Sequence, residues 1–425
     1  MRNPVRHLYV HIPFCAAKCD YCAFYSEPAQ TARVERFLAA LSREIGNVAA
    51  RLEPETIFFG GGTPSILTES QFEWLLTHLR ACLPNLESRG EQSVAAVYDR
   101  RLSDSPSSPA VIDRRYSDGT ALEWTVEMNP ATVSLEKARL LRTFGVNRAS
   151  LGVQSFDDEL LKRLGRIHTA AMARESIATL QEAGFDNLNL DFIFAIPGQT
   201  AAQWEQTVRS AIALEPQHLS TYELTYEDDT PLFRRLQARG VARLDEAAAT
   251  GMYERMLALA AEAGFRQYEI SNIARPGREC RHNLNSWRGG DYVGVGPSAC
   301  GYVDGWRYRN VASIDDYCAL IERGESPTEH AEKLSPRARA GELAAFALRM
   351  NEGIRAAAFE RQTGFRLEEL WGDALRELAA QKLVEWDGER LRLTPRGRLL
   401  ADSVAEAFIV VDKAETSSHH PAYAD

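Results

Sequence analysis

Three of the seven cysteines, Cys15, Cys19 and Cys22, fall within eight residues at the spacing C-x3-C-x2-C. An odd set of thiols cannot be consumed by disulfides among themselves. Thiolates this close can instead converge on soft metal, as four of them do around a zinc ion or an iron–sulfur cube. Three thiolates on a cube leave one iron without a protein ligand, and an open coordination position is where a metal site takes up substrate or cofactor. Two plainer readings share the same residues: a zinc site one ligand short, and three reduced cysteines in a loop.

Further groups that could bind follow along the chain. Gly60-Gly61-Gly62-Thr63-Pro64 lets the backbone approach a ligand closely and adopt positive φ, although a tight turn uses the same residues. A phosphate loop is excluded, because no Gly-Lys-Ser/Thr follows. Glu127 ends a strand-like run, where a carboxylate is costly to bury without a partner. Asp191 lies inside the apolar run Leu190–Ile193, Gln154 in Gly152-Val153-Gln154-Ser155-Phe156, and Arg166 in Leu164-Gly165-Arg166. Singly, each could be a structural ion pair. Together they mark successive strand ends.

Those strands supply the frame. They are expected at Leu8–Ile12, Thr56–Phe59, Glu123–Met128, Arg148–Val153, Asn187–Ile193 and His218–Leu224. Helices are expected between them at Ala32–Ala50, Glu69–Cys82, Leu135–Phe144, Ala170–Ala183 and Ala202–Leu214. Such alternation argues a parallel sheet of βα units, and six units suggest a partial (β/α)6 barrel over residues 1–230. In such barrels chemistry gathers at the C-terminal strand ends.

Residues 90–121 break the rhythm with a Ser-, Asp-, Arg- and Pro-rich stretch in which Ala96–Asp104 nearly repeats as Ala110–Asp118. A disordered insertion without catalytic role is expected there. Residues 231–334 read as a connecting region, with a helix at Ala247–Ala263 and then Gly- and aromatic-rich chain. Over 335–412, helices at Ala338–Arg349, Ala356–Thr363 and Leu367–Gln381, then a hairpin about Asp387-Gly388, predict a winged-helix-like domain. Residues 413–425 read as a loose polar tail with His419 and His420 solvated. The fold class is α/β: a partial barrel, a mixed α/β region and a winged-helix-like C-terminal domain.

A chain of 425 residues, 45% hydrophobic and 25% charged, is an ordinary globular protein of two or three domains. No apolar run approaches the roughly 18 residues that cross a bilayer, and the N-terminus lacks the apolar core of a secretory leader. Membrane contact is expected only through a partner. A net charge of −10 argues against broad nucleic-acid binding, and Arg390, Arg392, Arg396 and Arg398 read as a solvated face. Clustered reduced cysteines point to the cytoplasm.

C-x3-C-x2-C with an aromatic, Tyr21, before its last cysteine resembles the radical S-adenosylmethionine (SAM) superfamily. The resemblance implies a [4Fe-4S] cluster on Cys15, Cys19 and Cys22. SAM would chelate the free iron, and an electron from a donor would split it to a 5′-deoxyadenosyl radical. It also implies a cofactor-binding set: Tyr9 over SAM, Tyr21 in the cluster loop, and Gly61, Gly62 and Thr63 at the SAM amino group. Glu127, Gln154, Arg166 and Asp191 complete that set.

Within the superfamily, Tyr-Val-His-Ile-Pro-Phe-Cys at 9–15, Gly152–Phe156, Leu164–His168 and His282–Trp287 narrow the likeness. They are similar to the oxygen-independent coproporphyrinogen III oxidase family, including its haem-chaperone branch, from roughly Leu8 to Leu400. The oxidase takes hydrogen from a porphyrinogen propionate, which then loses CO2. The chaperone binds haem as cargo and hands it to a haem-requiring protein. Oxidases carry a further cysteine two residues past the last cluster ligand, where this chain has Phe24, and a longer segment before the cluster. The chaperone branch is therefore expected, with the oxidase as alternative and a radical methyltransferase or ring-opening relative as a third reading. Two departures from the branch pattern matter: Ser286 replaces the tyrosine of His-Asn-x-x-Tyr-Trp, and Cys300 replaces the histidine of Gly-x-Gly-Pro-Gly-Ala-His. His282 is then the expected haem ligand.

Overall fold

The computed structural model describes residues 3–84, 86, 122–412, 414–417 and 420–423. The expected insertion at 90–121 and the expected solvated His419 lie outside the described residues. Six parallel strands stand side by side in chain order: β1 (Val5–Ile12), β2 (Leu52–Gly61), β3 (Glu123–Met128), β4 (Arg148–Gln154), β5 (Leu188–Phe194) and β6 (His218–Glu223). Helices Thr31–Val48, Glu69–Cys82, Leu135–Thr143, Ala170–Glu182 and Ala201–Ala213 connect them. Short crossovers of this kind are what parallel neighbours need.

Strand alternation divides the two faces. Leu8, Val10 and Ile12 of β1 are fully buried in the core under the helices, while His7, Tyr9 and His11 take the other face. Helix starts just past the strand ends are fixed by capping boxes, Thr68 with Gln71 and Thr200 with Gln203, which satisfy otherwise unpaired N–H groups. The loops that carry the polar residues are thereby pinned at both ends.

The connecting region does more than connect. Val293–Val295 adds a parallel strand beside β1, Asn272–Ala274 an antiparallel one beside β6, and Arg266–Gln267 a further antiparallel one beside that, giving a nine-stranded sheet. A second, antiparallel sheet joins Cys300–Val303, Trp306–Asn310, Thr328–Lys333 and Glu415–Ser417. Glu44 ties this region to the first helix: fully buried, it accepts from Gly296 N at 2.7 Å, Asn310 Nδ2 at 2.8 Å and Tyr317 Oη at 2.5 Å.

The tail departs from expectation. Glu415–Ser417 pairs with Ala331–Lys333, and His420 is fully buried, its ring 4.2 Å from both Tyr308 and Tyr423. Edge pairing runs through the backbone, so polar side chains did not betray it. Beyond Pro336, helices Pro336–Ala347, Ala356–Thr363 and Leu367–Ala380 and the three-stranded sheet of Ile354–Arg355, Arg390–Leu393 and Val384–Trp386 enclose their own core around Leu343, Phe359, Trp371, Leu391 and Phe408. Arg392 pairs there with Glu385 at 2.6 Å. Among the described residues no helix is long and apolar enough to cross a membrane.

Candidate cofactor site

The cysteine loop leaves the C-terminal end of β1 and is stitched to its neighbours by backbone. Gly62 N donates to Ile12 O at 2.9 Å and Thr63 N to Phe14 O at 2.7 Å, so the glycine turn after β2 lies against the approach to Cys15. Cys15 Sγ is 3.4 Å from Thr63 Oγ1. Further along, Asp20 N donates to Leu164 O at 3.1 Å and Asp20 O accepts from Leu232 N at 2.8 Å. Arg166 donates from Nη1 to Cys19 Sγ at 3.4 Å and from Nη2 to Gly152 O at 2.7 Å. Tyr21 is hydrogen-bonded to Arg166 and packs against Leu160, Leu164 and Leu232.

All seven cysteines are free of disulfides, and the three of the loop are partly exposed. Among the described residues no three His, Cys, Asp or Glu side chains converge where a single ion would sit. A four-iron cube asks for something else, since each sulfur binds its own iron. A loop presenting three free thiols to one mouth, with a guanidinium beside one, fits that demand.

The mouth is shaped by missing side chains. A Cβ on Gly60 would stand 3.0 Å from Glu127 Oε2 and 3.1 Å from the Tyr9 ring. One on Gly62 would stand 2.7 Å from Phe14 O. Gly61, at φ +107°, lies against the His11 imidazole and its N–H is hydrogen-bonded to Glu127. Burial, reinforced by the charge of Asp191, pushes the Glu127 carboxyl up to about 8. Asp191, also raised by burial, accepts from Ser150 Oγ at 3.1 Å and Asn189 Nδ2 at 2.7 Å, with Ser220 as a third partner. Gln154 ends β4 at φ +65°, a left-handed conformation costing a non-glycine residue on the order of 1 kcal/mol, beside a register shift in the ladder. Such strain aims a side chain at the mouth.

The fold thus brings together Tyr9, Cys15, Cys19, Tyr21, Cys22, Gly61, Gly62, Thr63, Glu127, Gln154, Arg166 and Asp191. His282 packs beside Tyr9, with ring centroids 6.5 Å apart. It pairs with Thr56, midway along β2: Thr56 Oγ1 is 2.7 Å from His282 Nδ1 and 2.9 Å from His7 Nδ1. One hydroxyl can donate to only one of them, so the two imidazoles hold complementary tautomers. Only 7% of His282 is exposed, and burial pushes it down to about 3. Glu123 caps its helix from below, accepting from His282 N at 3.2 Å and Arg281 N at 3.1 Å. The second set of polar residues, Ser150, Asn189 and Ser220 around Asp191, was not anticipated. Its signal was the polar residue at every second position of β4–β6.

Fold and site define a class before any comparison: a partial parallel barrel carrying three free thiols beside a glycine turn and two enclosed carboxyls is the radical SAM architecture. Residues 9–211 match the radical SAM superfamily and residues 334–400 the HemN C-terminal domain. The solved structure of coproporphyrinogen III oxidase (HemN) from Escherichia coli, a radical SAM enzyme, superposes with a TM-score of 0.76 at 21% identity over 96% of this chain and 90% of that one, a likeness of fold. The "Heme chaperone HemW" of Lactococcus lactis is 33% identical over 95% of this chain and 97% of its own length. Its Escherichia coli namesake is 37% identical over 71% of each. The chain belongs to the HemW family of radical SAM proteins.

Proposed function

We propose that the chain is a [4Fe-4S]- and SAM-binding haem chaperone, which takes up haem and hands it to a haem-requiring protein. The observation that carries the haem reading is the near full-length similarity to relatives named for that role. Cys15, Cys19 and Cys22 would hold the cluster, and Arg166 steadies the Cys19 sulfur. When bound and reduced, a [4Fe-4S] cluster there would supply the electron that cleaves SAM. Gly61, Gly62 and Thr63 give SAM's amino end backbone groups without side-chain obstruction. Glu127 and Asp191 offer carboxylates to a ligand carrying ammonium and sulfonium charges, Gln154 and Arg166 line the mouth, and Tyr9 covers it. Tyr21 holds the loop.

An electron donor and a haem acceptor are the partners implied, in the cytoplasm, with no nucleic acid. The division we propose is a barrel over 1–230, a connecting region over 231–334 and a C-terminal domain over 335–412, with Glu415–Ser417 of the tail returning as an edge strand. His282 leaves only Nε2 for an iron, inside an enclosed aromatic setting of Tyr9, Phe58 and Tyr292. We favour a hydrogen-bonding role for it. The test is anaerobic: reconstituted protein with haem, and separately with coproporphyrinogen, SAM and a reductant. Haem uptake without protoporphyrinogen is expected. Formation of protoporphyrinogen would make the oxidase reading right.

A further inference from the structure

A cleft of about 440 Å³ opens on the outward face of the antiparallel sheet, under helix Pro336–Ala347. Nothing in the cofactor site uses it. Its lining includes the aromatic rings of Tyr292, Tyr302 and Phe346, with Gly289, Gly290 and Gly301 among them. Arg339 fixes one wall, lying 4.0 Å over the Tyr302 ring and donating to Gly289 O at 2.7 Å. At the other end stands an exposed thiol, Cys300, with Arg309 directly opposite it in the ladder.

We propose that this cleft is the haem seat, with Cys300 ligating the iron and Arg309 at the rim holding a propionate; the inference rests on the haem-chaperone reading above. A flat, apolar ring with two carboxylates at one edge needs aromatic surface to lie on, a cation for a carboxylate and one iron ligand. Arg309 is now paired with Glu329 at 2.8 Å, and both are about half exposed. Such pairs are worth little, so the guanidinium can exchange partners. Cys300 is held in place because a Cβ on Gly294 would fall 1.9 Å from its carbonyl oxygen, which fixes the two strands against each other. Gly294 is in turn the ladder partner of Tyr9, so the seat lies beside the β1 edge of the cofactor mouth. His330 lies opposite Arg309 on the next strand, two ladder spacings and so about 10 Å from Cys300. Ligation by one residue suits cargo that must leave. The step is Cys–SH plus ferric haem giving a sulfur–iron bond and a proton released to solvent, with no electron transferred; a coordinated thiol gives up its proton to the metal's charge.

The test is haem titration of anaerobic, cluster-loaded full-length protein, comparing wild type with Cys300→Ser, Arg309→Ala and His282→Ala. Wild type is expected to show the spectra of thiolate-ligated haem, including a red-shifted ferrous carbonyl band. Cys300→Ser should lose that signature and bind at least about tenfold more weakly, at unchanged cluster absorbance. Arg309→Ala should weaken binding yet keep the signature. Wild-type haem without a thiolate signature would overturn the seat while leaving the chaperone reading intact. So would unaltered binding by Cys300→Ser, or loss of haem in His282→Ala alone. No haem uptake by wild type would overturn both.

Discussion

Glu127→Gln is a perturbation whose sign the structure fixes. The Glu127 carboxyl is raised from 4.5 to about 8, first by burial and then by Asp191. Between those values the folded protein keeps a proton that the unfolded chain has given up, so native stability falls as pH rises through that window and levels above it. Each pH unit costs at most about 1.4 kcal/mol, which puts the loss at roughly 3 kcal/mol by pH 7. The side chain keeps some contact with the mouth and part of its shift belongs to Asp191, so about 2 kcal/mol is the expected recovery on substitution. The amide that replaces the carboxyl cannot titrate. In urea unfolding of SAM-free protein, the variant should match wild type near pH 5 and exceed it by about 2 kcal/mol near pH 8. It should also bind SAM more weakly, because the carboxylate meant for a cation is gone. Parallel pH dependences for the two proteins would refute the reasoning.

Other substitutions test the remaining parts. Replacing Cys15, Cys19 and Cys22 together with alanine should abolish iron–sulfur absorbance after reconstitution, read by iron and sulfide content. Gly62→Ala places a methyl 2.7 Å from the Phe14 carbonyl, a backbone atom that cannot step aside, so cluster retention and SAM affinity should both fall while far-UV dichroism is kept. Thr56→Val leaves buried nitrogens of His7 and His282 unpaired, and should lower stability by roughly 2–4 kcal/mol in denaturant unfolding, with SAM binding unchanged.

The frame was legible because each unit carries its own period. The expected Glu69–Cys82 helix and Glu123–Met128 strand coincide with the observed ones, and the other barrel elements shift by a few residues at their ends. The mouth was legible because carboxylates in apolar strands need a reason. What stayed hidden was decided across the chain. Val293–Val295 and Asn272–Ala274 are too short to show a period, and their place at the sheet edges comes from pairing with β1 and β6. Glu415–Ser417 pairs through its backbone with a strand more than eighty residues earlier. His282 looked like a ligand because its motif does, but Thr56 and the surrounding rings set its surroundings.

The central claim is that the cluster keeps one iron open and SAM occupies it. Electron paramagnetic resonance of the reduced, reconstituted protein with and without SAM tests this most directly. The account predicts a reduced [4Fe-4S] signal whose g-values move when SAM is added, and which is absent from the triple cysteine variant. A wild-type signal indifferent to SAM, or one that survives loss of the three cysteines, would contradict it.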